Sequence, residues 1–319
     1  MMNRLFLRAL PILAALALVG SAEVLAQSRP LQFGPPLRPN IVFSYKFTER
    51  VRTLYESGGE VVDSGHRVLS YFVSQKQSPL DGGRWLIEAN VDSMHVEYVH
   101  NGQTVRFNTQ EAATSTFDIT HREILGPSAI VNRVAMITLS PYGQVLGIES
   151  PSFDFLREQI AEPGVDPVIR ERVLDMISPE FLSATLLPWR SVAPLGRSVG
   201  FGDTLTMPFT GVLDRVGVRD TARVVLTRQN DKAVLNFQSD FRTATRPFGA
   251  FTELLDPVTI GSTTGHISGA LNIDDDGVVV SGWTAAKGTV NGTVSGAPIA
   301  ATVWHETYTE MIGMMSVTN

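Results

Sequence analysis

Beyond residue 41, apolar and polar positions alternate with a period of two over most of the chain, the pattern of half-buried strands. Within 42–51, VFSYKFTERV, the side chains of Phe43, Tyr45 and Phe47 share one face. Within 84–99, RWLIEANVDSMHVEYV, Trp85, Ile87, Ala89 and Val91 share a face, and the alternation resumes one residue out of phase at Met94, Val96 and Tyr98. Such a slip predicts a β-bulge. His100-Asn101-Gly102-Gln103 predicts a tight hairpin, because Asn-Gly tolerates the positive φ angles of a type I′ turn. The stretch 128–150 predicts a second hairpin that turns at Ser140 to Gly143.

The pattern then breaks. Ser150-Pro151, Asp166-Pro167 and Ser178-Pro179 each place a capping residue before a proline, whose fixed φ and missing N–H suit the first position of a helix. Apolar residues follow at helical spacing, at Phe153, Leu156 and Ile160, at Ile169, Val173, Met176 and Ile177, and at Phe181 with Ala184. A short helical insertion over 151–187 is expected. Alternation returns in 203–209, 221–229, 232–241, 266–273, 277–283 and 298–312. Glycine, threonine, serine and alanine are frequent in this last third, and their small side chains are expected to face outward.

The expected fold is mainly β (α+β): a large curved antiparallel sheet or half-barrel with the helices inserted midway. The expected organisation is a signal segment 1–26, a proline-rich lead-in 27–40, a first β half 41–150 and a second β half 198–319, forming one composite domain 41–319. Two segments, 135–148 (AMITLSPYGQVLGI) and 269–282 (GALNIDDDGVVVSG), align without a gap. Fainter echoes link 63–70 with 219–227 and 84–92 with 232–240. They raise the prospect that the β halves are duplicates, although hairpins also converge because pleat and turn dictate the same residue types.

The N-terminus changes the picture of location. Arg4 and Arg8 precede an apolar run at 9–20, and VLA ends at Ala26, which predicts signal cleavage between Ala26 and Gln27. The apolar run falls short of the roughly 20 residues that span a bilayer. The expected product is exported, periplasmic or extracellular, and not an integral membrane protein after cleavage. The chain has 319 residues and no cysteine, which excludes disulfides, thiolate metal sites and cysteine nucleophiles. Its formal net charge is −6 with scattered arginines, so no nucleic-acid partner is expected.

Candidate chemistry is sparse. Asn272, Asp274, Asp276 and Gly277 match the first positions of a calcium loop, but Trp283 stands where that loop needs a bidentate glutamate. The stretch reads as a hairpin turn, and Asp274 and Asp276 are rejected as metal ligands. GRSVG at 196–200 matches a serine-hydrolase pattern around Ser198, yet a strand rather than a helix follows, so the nucleophile elbow is missing. HETYTE at 305–310 has Thr309 where a zinc-protease helix needs its second histidine. His305 and Glu306 of a strand point to opposite faces. No catalytic residue, metal or cofactor is assigned.

The SPYGQV turn, the β-helix-β order, the Gly202-Asp203-Thr204 entry to the second half and the cysteine-free signal resemble a family of bacterial exported proteins of unknown function. In architecture the chain is similar to the half-barrels of lipoprotein carriers and related lipid-binding proteins. That resemblance implies an apolar small molecule or lipid held in a concave sheet. Phe153, Leu156, Phe181, Leu186 and Trp189 are the candidate lid, and ordinary core packing is the alternative reading of the same stripe. Two other functions stay open. One is an envelope protein that binds a partner protein through strand edges or C-terminal hairpins. The other is a hydrolase whose site is assembled across strands.

Overall fold

The computed structural model describes residues 31–32, 41–100, 102–111, 124, 127–141, 145–187, 198–214, 216–230, 232–247, 258–275 and 277–316. The signal segment, its cleavage point at Ala26 and Gln27, most of the lead-in, Trp189 and Asp276 lie outside the described residues. Inside the lead-in, β1 (Leu31–Gln32) pairs antiparallel with β8 (Ser198–Val199).

The first half comprises β2 (Ile41–Ser57), β3 (Glu60–Pro79), β4 (Trp85–His100), β5 (Gln103–Asn108), β6 (Val134–Leu139) and β7 (Val145–Glu149). Helices α1 (Pro151–Ile160), α2 (Pro167–Met176) and α3 (Pro179–Leu186) follow. The second half comprises β9 (Thr204–Leu213), β10 (Val216–Gln229), β11 (Lys232–Phe241), β12 (Thr243–Pro247), β13 (Val258–Ile273), β14 (Val279–Val294) and β15 (Ala297–Ser316). All but β1 and β8 belong to one antiparallel sheet of 13 strands, in the order β12-β10-β11-β13-β14-β15-β2-β3-β4-β6-β7, with β9 added to β10 and β5 to β4. The sheet is open. Its two halves meet where β15, near the end of the chain, pairs with β2, with His305 opposite Val51 and Val303 opposite Thr53.

The alternation in sequence produces this sheet directly. Phe43, Tyr45, Phe47, Val51 and Tyr55 of β2 are buried, as are Leu69, Tyr71 and Val73 of β3, while the residues of the opposite phase face the other side. Each such side chain contributes roughly 1.5–3 kcal/mol on burial. The expected bulge is present: Phe72 pairs with Ser93 and Val73 with Val91, leaving Asp92 as the extra residue. Gln103 pairs with His100 across the predicted two-residue turn, and Gly102 has φ 75°. Ser150 and Ser178 cap α1 and α3, their hydroxyls accepting from the N–H groups of Phe153 at 3.4 Å and Phe181 at 3.3 Å. The segments that echo one another in sequence hold the same order, β3-β4-β6-β7 and β10-β11-β13-β14.

One expectation is corrected. Small residues of the last third do not all face outward. A Cβ added at Gly265 would lie 2.4 Å from the Phe241 ring, and one at Gly269 2.5 Å from the Phe237 ring. These inward glycines admit aromatic rings from β11. A Cβ at Gly288 would lie 2.6 Å from Leu213, so the end of β9 rests against β14 although β10, β11 and β13 separate them in the sheet. The sheet therefore curls, with its buried face inside.

Candidate functional site

The inner face of the curled sheet is covered at one end by the helices. Gln75 on β3 points inward and its Nε2 donates to the Leu186 carbonyl at 2.9 Å, latching the end of α3 onto the sheet. Of the expected lid residues, Phe153 and Leu186 are buried, and Leu156 and Phe181 are half-buried. All four join the apolar cluster that includes Phe43, Tyr45, Ile87 and Ile137 of the sheet. The chain's own side chains thus fill much of the space beneath the helices.

Further along the inner face lies a group of ionisable side chains of which the sequence patterns singled out only His305. Arg67 on β3 donates from one guanidinium nitrogen to Glu49 of β2 at 3.2 Å and to Asp214 at 2.9 Å. Asp214 occupies the turn between β9 and β10 with φ 55°, a left-handed conformation that aspartate tolerates better than most residues. That turn folds over the sheet and meets His305 of β15. The His305 Nδ1 lies 3.0 Å from the Asp214 N–H donor and 2.9 Å from the Val212 carbonyl. Unprotonated, Nδ1 accepts from Asp214; protonated, it donates to Val212. The Nε2 lies 3.0 Å from Glu49, an ion-pair distance, but off the line of a hydrogen bond.

The arrangement closes a ring from Glu49 through Arg67 and Asp214 to His305 and back. Arg67 and Asp214 are each 8% exposed, whereas Glu49 is 24% exposed although it faces inward. In the same row across the sheet, Thr307 pairs with Glu49 and Thr284 pairs with Thr307, and both threonines are half-buried. Their hydroxyls bond each other at 2.7 Å. Solvent therefore reaches the inner face along Thr284, Thr307 and Glu49. A catalytic histidine presents one nitrogen to a nucleophile and the other to an orienting group. Here one nitrogen serves the β9–β10 turn and the other faces Glu49, so the ring acts as a polar clasp between the hairpin and the sheet.

The remaining candidates fall elsewhere. Ser198 sits exposed in β8 opposite Gln32, with no helix after it, so GRSVG forms no nucleophile elbow. Asp274 lies in the β13–β14 turn, where its Oδ1 accepts from the Val278 N–H at 2.8 Å and Gly277 has φ 83°. His305 and Glu306 do point to opposite faces: His305 is buried, while Glu306 accepts from the outward Tyr308 hydroxyl at 3.0 Å. That bond is the main cause of a Tyr308 pKa above the ordinary phenol value. Among the described residues no cluster of histidine and carboxylate groups suits a metal, and no helix is long and apolar enough to cross a membrane.

No family model and no curated protein matches the chain. Among solved structures, one of lipovitellin, described by its lipid–protein interactions, aligns over 88% of this chain and 26% of that chain, with 9% identity and a TM-score of 0.43. The chain spans about a quarter of the length of that protein. An outer membrane channel from Pseudomonas putida F1 aligns over 86% of this chain and 96% of that chain, with 7% identity and a TM-score of 0.26. At such scores neither likeness bears on ligand, partner or location.

Proposed function

We propose that the chain is an exported protein that holds an apolar or amphipathic ligand against the inner face of its sheet, beside α1 and α3. One observation carries this reading. The inner face passes from an apolar floor under the helices, at Phe43, Tyr45 and Ile87, to the row of Thr284, Thr307 and Glu49 that solvent reaches. An amphipathic lining of that kind suits a ligand with an apolar body and a polar end. The half-buried positions of Leu156 and Phe181 support a cover that yields at its margin. Export rests on the basic and apolar segments of residues 1–26 and the Ala26–Gln27 junction.

Titration with a solvatochromic lipid dye tests the reading. A blue-shifted, saturable signal is expected, weakened at least about ten-fold in Phe181→Glu and Leu156→Glu, since a buried apolar side chain contributes roughly 1.5–3 kcal/mol and about 1.4 kcal/mol is ten-fold in affinity. No binding, or binding indifferent to both substitutions, would contradict it.

The open edge favours a second reading. Among the described residues β7 is an edge strand, and Leu146 on it is 56% exposed with Val145 beside it at 37%. An unpaired apolar edge can accept a strand from a partner protein in the envelope. Capture of one discrete partner by the native chain, lost in Leu146→Lys, would support that reading over ligand storage.

A further inference from the structure

Gln75 and Gln77 stand two positions apart on β3, so both side chains project from its inner face. Gln75 is 0% exposed and Gln77 5%. Register places Gln75 between Phe43 and Ala89, with Ala135 beyond, and Gln77 beside Ile87, with Ile137 beyond. Every one of these neighbours is apolar. The bond from Gln75 Nε2 to the Leu186 carbonyl fixes the amide, because turning it over would set two carbonyl oxygens against each other. The Gln75 Oε1 is left buried without a hydrogen-bond partner, and so is the Gln77 Oε1. A leucine at either position would continue the alternation at lower cost, since an unsatisfied buried acceptor loses its hydration with no return. Met314, paired with Phe43 and 51% exposed, marks where this end of the inner face meets solvent.

We propose that Gln75 and Gln77 form a second polar point of the ligand site, buried within the apolar floor and apart from the row of Thr284, Thr307 and Glu49, and that the ligand head seated there is an uncharged hydrogen-bond donor. The inference rests on the ligand-binding reading above and adds the chemistry of the head. Two carbonyl oxygens in an apolar wall repel a carboxylate or phosphate and accept from hydroxyls. Two positions along a strand set the two residues roughly 6–7 Å apart at the backbone. A diol spans that gap with one hydroxyl on each oxygen. The ligand class is a neutral glycerolipid with at least two hydroxyls.

Displacement of a bound lipid dye by 1-monoolein, methyl oleate and oleate tests the assignment, because the three share one chain and differ in the head. Monoolein is expected to bind at least about ten-fold tighter than methyl oleate, the weight of one or two satisfied buried acceptors. Gln75→Leu/Gln77→Leu should bring monoolein to the level of methyl oleate and leave methyl oleate unchanged. Gln77→Leu alone, which keeps the Leu186 latch, should remove part of the preference and controls for misplacement of α3. Equal binding of monoolein and methyl oleate, oleate binding tightest, or a preference that persists in the double variant would each overturn the assignment while the ligand-binding reading stands. Equal binding is also the outcome if the two oxygens hold only water. Failure of all three probes to bind would overturn both.

Discussion

Replacing Arg67 by methionine removes the cation shared by two inward-facing carboxylates, Asp214 at 2.9 Å and Glu49 at 3.2 Å. Removing one partner of a buried pair costs about 3–5 kcal/mol, because the other charge is left uncompensated. Glu49 is 24% exposed, so water screens part of its loss, whereas Asp214 at 8% has little such relief. The expected loss is therefore near the lower bound, about 3 kcal/mol, dominated by Asp214. In a chain of this size that lowers Tm by roughly 6–10 °C. Urea denaturation followed by tryptophan fluorescence, with scanning calorimetry, measures it. The deciding comparison adds Asp214→Asn and Glu49→Gln to Arg67→Met. Neutralising the stranded carboxylates should restore about 2 kcal/mol. A single variant within about 0.5 kcal/mol of the parent, the range of an inconsequential surface change, would refute the clasp. A destabilised single variant that the triple fails to rescue would assign the loss to packing of the arginine stem.

Gly269→Ala should destabilise by about 1–3 kcal/mol, the usual range for overpacking, because its Cβ would fall 2.4 Å from the Trp283 carbonyl. Gly147→Ala meets nothing within 4 Å and should be neutral in the same urea assay. Ser150→Ala and Ser178→Ala each remove a helix cap and should lower stability by about 1 kcal/mol. Helicity by circular dichroism should fall with them; unchanged values would deny the caps their role. Glu306→Gln should bring the raised pKa of Tyr308 down toward the ordinary phenol value in an ultraviolet titration. With the pKa raised in the folded state, the stabilising contribution of the bond is complete below the ordinary phenol range and is lost as pH rises through the raised value. A Tyr308 titration unaffected by the substitution would show that the bond does not form.

Strands such as β2 and β4 were legible because they are long and alternate, and the one-residue slip at Asp92 was readable as a bulge for the same reason, whereas β3 and the short β12 were not singled out. The helix starts were legible from Ser150-Pro151 and Ser178-Pro179, whose side chains do cap. Pairing of β15 with β2 was not, since nothing local in either strand says which distant strand lies beside it. The inward glycines were misjudged for a related reason: Gly269 looks like a small outward residue until its partner, Phe237, is known. The polar clasp did leave a trace. Glu49 continues the inward phase of Phe43, Tyr45 and Phe47, and Arg67, Gln75 and Gln77 share the phase of Leu69, Tyr71 and Val73. Charged or amide side chains in the apolar phase of a strand must find partners inside, which is the signal that motif searching passes over. Asp214 left no such trace, because only the curl of the sheet brings its turn to Arg67.

An amphipathic ligand received on the inner face beside α3 would leave a footprint in backbone exchange. Hydrogen exchange of the purified protein with and without saturating 1-monoolein measures it most directly. Ligand seated there should slow exchange in α3 (Pro179–Leu186) and at the Gln75 end of β3, with little change at the outward Trp283 and Tyr308 positions of β14 and β15. Protection confined to those outward positions, or to the β7 edge around Leu146, would contradict a ligand on the inner face.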